Sequence, residues 1–159
     1  LVSGAIDATE WVGPWNDEAM KFQEAAKYYY YPGMHEPGSM LACGTNKSWF
    51  TSLSKSDQLL IEAAAAMEND VMMSEYNAKN GAALARLIND HGVKLEKFSD
   101  KVYDGFAKAA NEVFEETRAS SGLAERIHSS FLQARKDIGS WTNLSDSPYI
   151  SQRNRALGM

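Results

Sequence analysis

Residues 54–92 read SKSDQLLIEAAAAMENDVMMSEYNAKNGAALARLINDHG, and whether this run is one helix or several decides what kind of fold the chain can have. Ser54-Lys-Ser-Asp57 has the capping-box spacing, a hydroxyl followed three residues later by an acid, and the run beyond it is rich in strong helix formers. Leu60, Ala64, Met67 and Val71, then Leu84, Leu87 and Ile88, recur at helical spacing up to Gly92, with His91 in the last turn. Asn80-Gly81 is the weak point of the run. The spacing still predicts one helix over about 56–91. At ~1.5 Å per residue it extends on the order of 50 Å, longer than a compact domain of this size requires. Such a helix is expected to span two lobes or to back onto a further surface.

Downstream, Val93-Lys-Leu-Glu-Lys-Phe98 alternates as a short edge strand does. Ser99 or Asp100 can cap a helix whose Val102, Phe106, Ala109, Val113 and Phe114 share one face, ending near Ala119. Ser120-Ser121-Gly122 breaks the pattern. A last helix over about 123–140 carries Leu123, Ile127, Phe131, Ala134, Ile138 and Trp141 at spacings of three or four, a narrow seam suited to another helix or to a partner subunit. Beyond Trp141 the chain reads as irregular, with a frayed basic tail at Arg153-Asn-Arg155.

Upstream, Gly4–Val12 reads as a short strand leading into a loop at Gly13-Pro14. Asn16 or Asp17 can cap a helix over about 17–27, with Ala19, Phe22 and Ala26 on one face. Tyr28–Tyr31 favours extended structure, and Pro32 biases Tyr31 the same way. His35 and Glu36 then lie between Pro32-Gly33 and Pro37-Gly38, which give their loop a defined shape. Met40–Thr45 reads as a buried strand. The chain thus divides into a strand and loop region (1–54), the long helix (55–92) and a strand with helices (93–159), expected to act as a single partial unit.

With 159 residues, 44% hydrophobic and 23% charged, the chain is long enough to bury a core, and disorder is disfavoured. A net charge of −5 with scattered Lys and Arg gives no electrostatic footprint for nucleic acid. No apolar run approaches the roughly 18 residues that span a bilayer. The single Cys43 allows no internal disulfide and is expected to be a small buried residue. Because the chain opens on Leu1-Val-Ser-Gly, it is expected to be a piece of something longer.

Phosphate loops, nucleophile elbows and paired His motifs are missing, and His35, His91 and His128 stand far apart. Function therefore concentrates on 10–40. A carboxylate such as Glu36 on a rigid, aromatic-rich loop suits a hard-cation ligand or a general base, and equally an ordinary solvated side chain. Glu10 is a second acidic anchor. Trp11 and Trp15 flank Gly-Pro and suit the wall of a small-ligand pocket or a core position. The four Tyr fit a packed strand better than a binding surface.

Three segments carry a resemblance: residues 4–15, GAIDATEWVGPW; residues 25–38, AAKYYYYPGMHEPG; and the Ile61-Glu-Ala-Ala-Ala helix, with Trp141-Thr near the end. Over nearly its whole length the chain resembles the substrate-binding proteins of tripartite ATP-independent periplasmic (TRAP) transporters, in their dicarboxylate/α-keto-acid-binding branch. The resemblance implies an α/β fold, mostly helical here, forming the C-terminal half of a two-lobed periplasmic-binding-protein fold of type II-like kind with a helix crossing both lobes. It implies a periplasmic, non-catalytic protein that binds a small 2-keto or 2-hydroxy monocarboxylate and serves TRAP membrane subunits, with its leader in the missing part. In one branch of the family the ligand is bound with a sodium or calcium ion. There Glu36 would supply a carboxylate to the ion, Trp11 would lie against the ligand and give a backbone oxygen, and Glu10 is a weaker metal candidate. His35 departs from the aromatic residue frequent at its position. The ligand-clamping Arg and a Gln of the ion site would lie upstream of Leu1. In some members the last helix exchanges between two protomers, which implies a homodimer through that helix. Two other readings stand beside this one: an acid/base enzyme using Glu36 with His35 or Glu10, and a helical dimerisation module.

Overall fold

The long helix starts where its capping box requires. Ser54 Oγ accepts from the Asp57 backbone N–H at 3.1 Å and donates to Asp57 Oδ2 at 2.7 Å, taking up one of the orphan donors of the first turn. The structure, a computed structural model, describes residues 1–34, 36–39 and 41–159; His35 and Met40 lie outside the described residues. The chain forms two compact units, Leu1–Ser99 and Asp100–Met159.

In the first unit the order is α1 (Pro14–Ala19), α2 (Phe22–Ala25), β1 (Tyr28–Tyr31), α3 (Lys47–Ser52), α4 (Lys55–Asn89) and β2 (Lys94–Lys97). α4 runs unbroken through Asn80-Gly81 for 35 residues, about 52 Å at ~1.5 Å per residue. Its C-terminal part packs against α1, and Ala83, Leu87 and Val93 form the buried core there. Leu60, Met67 and Val71, on the same expected stripe, are exposed. After α4 the Val93 N–H reaches back to the Leu87 carbonyl at 2.9 Å, and β2 pairs with β1 in parallel, Tyr28 opposite Lys94 through Tyr31 opposite Lys97. Tyr30 stacks on Phe98 with ring centroids 5.0 Å apart.

The second unit is α5 (Asp100–Ala119), α6 (Gly122–Thr142) and α7 (Asp146–Leu157). Phe114 of α5 meets Phe131 and His128 of α6 at 5.9 and 6.2 Å between centroids. Ser121 caps α6 by accepting from the Ala124 N–H, as the predicted break between the two helices requires. Among the described residues no helix is long and apolar enough to cross a membrane.

Five expectations are corrected. Gly4–Val12 is loop rather than strand, because a strand exists only where a neighbour takes up its N–H and C=O groups, and among the described residues β1 and β2 pair with each other and leave no partner for it. Residues 41–45 are likewise extended loop, with Leu41 73% exposed. Cys43 is exposed rather than buried. The helix expected over 17–27 starts three residues earlier, with Pro14 in its first turn, and breaks at Lys21, whose left-handed φ of 60° separates α1 from α2. The supposedly irregular tail is α7: Pro148 falls in the first helical turn, where its missing N–H costs nothing, and Gly158 closes the helix in the left-handed conformation.

Candidate functional site

The loop bearing Glu10 and Trp11 is fixed at its downstream end by a contact with α4. Gly13 lies at φ 155°, ψ 178°, a region essentially restricted to glycine, and a Cβ there would stand 3.3 Å from Asn80 Oδ1. That same oxygen accepts the Trp15 backbone N–H at 3.0 Å. The Trp15 ring is edge-on to Tyr76 at 5.2 Å and lies under the Lys79 ammonium at 4.2 Å, so three residues of α4 clasp one aromatic of α1. About two turns further along α4, Arg86 forms a two-pronged ion pair with Glu18, Nε to Oε1 at 2.8 Å and Nη2 to Oε2 at 2.5 Å. The guanidinium holds the Glu18 carboxyl below the usual carboxylate range.

Ahead of this anchor the Trp11 ring is 54% exposed, and Glu10 is exposed beside it. Behind it, Tyr29 Oη of β1 donates to Asp17 Oδ2 of α1 at 2.5 Å. Asp17 Oδ1 is buried without a hydrogen-bond partner among the described residues. Burial therefore pushes the Asp17 carboxyl up, against the lowering effect of the Tyr29 hydroxyl and the Gly13 contact, and the nearby Glu10 charge adds to the rise. Burial and the Asp17 charge push the Tyr29 hydroxyl above its ordinary value as well.

The second expected site segment follows β1. Glu36 is exposed, and its Oε1 accepts from Ser39 Oγ at 2.7 Å, a neutral donor that orients the carboxylate. The Glu36 loop follows Tyr29 and the Trp11 loop precedes Asp17, so the Tyr29–Asp17 bond ties the elements that carry the two loops. His35 lies outside the described residues, and the catalytic pairing expected of it with Glu36 falls there too. A charged oxygen donor on an exposed loop suits a hard cation. Among the described residues, however, no three His, Cys, Asp or Glu side chains cluster as ligands, so Glu36 fits one side of an oxygen cage rather than a whole one.

Sequence reasoning missed Asn80, Arg86 and the Asp17–Tyr29 pair. Asn80 had a signal: Asn-Gly in the middle of a long helix opposes local propensity, and such conflicts mark positions held for another reason.

Residues 1–120 match the family described as bacterial extracellular solute-binding protein, family 7 (DctP). A curated relative, the monocarboxylate 2-oxoacid-binding periplasmic protein of Nostoc sp., is 35% identical over 149 residues, 94% of this chain and 41% of its own length. Among solved structures, the chain is similar to a TRAP periplasmic solute-binding protein from Colwellia psychrerythraea with bound calcium and pyruvate, at TM-score 0.89 and 34% identity over 94% of this chain and 46% of that one. A TRAP transporter solute-binding protein from Bordetella bronchiseptica, a mixed-occupancy dimer with calcium and picolinate in one site, matches at TM-score 0.89 and 28% identity, covering 98% and 46% of the two chains. A third, from Pseudoalteromonas atlantica with sodium and pyruvate, matches at TM-score 0.84 and 28% identity, covering 94% and 45%. The chain thus spans less than half the length of the relatives it matches. The long helix and the mostly helical α/β architecture are those of part of a TRAP periplasmic binding-protein fold. The family is one of transporter solute-binding proteins and not of enzymes, which overturns the acid/base reading of Glu36. With residues 1–120 matched and the fold shared along almost the entire chain, the protein belongs to the bacterial extracellular solute-binding protein family 7.

Proposed function

We propose that the 159 residues are part of one TRAP-type solute-binding unit that captures a small 2-oxo or 2-hydroxy monocarboxylate together with Na⁺ or Ca²⁺ in the periplasm and delivers it to membrane subunits. The observation that carries this reading is the Colwellia neighbour, which holds pyruvate beside calcium on a fold shared at TM-score 0.89. Trp11 lies against the acid and lends its backbone oxygen to the ion, and Glu36 supplies the ion with a carboxylate. Glu10 is the weaker oxygen donor. The cation removes the repulsion between the Glu36 carboxylate and that of the ligand, and its oxygen cage replaces its hydration shell. Support for these roles comes from the exposure of Trp11, the Ser39-oriented carboxylate of Glu36 and the anchoring of the Trp11 loop on α4.

A second copy of the chain is a further partner in this reading. Leu123, Ile127, Phe131, Ile138 and Trp141 form an exposed apolar row along α6, which suits a matching row on another protomer.

Calorimetry of the full-length protein with pyruvate and lactate, with and without Na⁺ or Ca²⁺, tests the binding. Ion-dependent binding with the acid recovered unchanged is the expected result. Conversion of the acid into a product, or binding indifferent to both ions, would overturn the reading.

A further inference from the structure

We infer that Asn80, in the middle of α4, is a positioning residue that sets how the Trp11 loop approaches the ligand. The inference rests on the binding role proposed for Trp11 and adds the residue through which the long helix governs it. Asn80 Oδ1 accepts the Trp15 N–H at 3.0 Å, and it lies where a Cβ added at Gly13 would stand only 3.3 Å from it. Pro14, between these two positions, has its φ fixed by the ring. Gly13 is held in a conformation that other residues hardly adopt, so the direction in which the chain leaves α1 toward Trp11 is set at this contact. Gly13, at the N-cap of α1, has no side chain to offer; the Trp15 N–H instead finds its acceptor on α4, 65 residues away along the chain. Tyr76 and Lys79 on the Trp15 ring hold the neighbouring side of the clasp.

Without Asn80 Oδ1 the Trp15 N–H loses its partner on α4. The Trp11 ring and its backbone oxygen must then be ordered when the ligand binds, which lowers affinity. Asn80→Ala is therefore expected to weaken pyruvate binding about tenfold in the presence of the ion, the equivalent of one hydrogen bond. Asn80→Asp keeps an acceptor of the same shape and should bind within about twofold of the parent. If Asn80 acts through Trp11, Asn80→Ala introduced into a Trp11→Ala background should cost less than about threefold, because coupled residues are not additive.

The experiment is ion-dependent pyruvate calorimetry on the parent, the three single variants and the Trp11→Ala/Asn80→Ala double variant of the full-length protein, each with a thermal midpoint. A tenfold loss that the Asp variant rescues and the Trp11→Ala background absorbs supports the positioning role. An Asn80→Ala affinity within twofold of the parent, or the same tenfold loss in both backgrounds, overturns it. Should Asn80→Ala not fold, Gly13→Ala disturbs the same contact from the loop side and must show the same absorption by Trp11→Ala. A parent that binds no acid with either ion overturns the functional reading, and the positioning role with it; normal parent binding with an indifferent Asn80→Ala overturns the positioning role alone.

Discussion

Glu36 and Asp17 are carboxylates in opposite surroundings, and each makes a distinct prediction. Glu36 is exposed and takes one hydrogen bond from Ser39 Oγ, so its proposed use is to offer a carboxylate to a cation at the ligand. Glu36→Gln is expected to abolish the ion dependence of pyruvate binding and to cost at least tenfold in affinity at saturating Ca²⁺, read by calorimetry. An unchanged ion dependence would remove Glu36 from the site. Asp17 is buried against Tyr29, and burial raises its carboxyl above the ordinary 3.8. The folded chain then holds that proton more tightly than the unfolded one, so stability attributable to Asp17 falls as pH rises from about 3.8 through its folded pKa. Asp17→Asn has no such proton to lose. Urea midpoints across pH 3–7 should therefore show the variant gaining stability relative to the parent as pH rises, and a flat or inverted difference would contradict the assignment. Of these two residues the sequence marked Glu36 through its Pro-Gly brackets. Asp17 read only as a helix cap, since nothing local shows that Tyr29, 12 residues away, will reach it.

Among the elements, α4 is the one whose existence local chemistry settles and whose burial it does not. The Ser54 capping box, the alanine-rich run and the helical repeat suffice to define Lys55–Asn89 almost to the residue. Which part of the stripe is covered depends on α1, and α1 lies on the C-terminal third. Leu87, 2% exposed, is the largest buried side chain among the described residues. Leu87→Ala is expected to destabilise the first unit by about 3 kcal/mol in urea unfolding, from lost transfer energy plus the residual cavity. A loss below about 1 kcal/mol would show that the α1–α4 contact holds little of the unit together. The helices α5 and α6 were legible from their periodic apolar faces and from the Ser120-Ser121-Gly122 break between them. The strand at Gly4–Val12 was misread because strand propensity records only a fit to a pleated surface, and among the described residues no neighbouring strand supplies one. α7 was misread because polar composition and a proline outweighed two permitted signals, Pro in the first turn and Gly at the end.

For the whole molecule the open quantities are assembly and the completeness of the pocket. The exposed row on α6, with Trp141 at 67%, predicts self-association. Sedimentation of Phe131→Asp should show a monomer where the parent is a dimer, since a buried unpaired carboxylate is not tolerated in an apolar seam. A persistent dimer would place the interface elsewhere. The sequence by itself determined α4, α5 and α6, the β1 and β2 strands, the family and the candidate residues Glu10, Trp11 and Glu36. These follow from periodicity, capping and motif text, all carried by neighbours along the chain. Only the tertiary structure decided that β1 pairs in parallel with β2, that the Tyr29 hydroxyl donates to Asp17, and that Asn80 and Arg86 hold α1 on the long helix. Those contacts join residues 12 to 68 positions apart, and a hydrogen bond or ion pair between such partners depends on distances that no local pattern encodes.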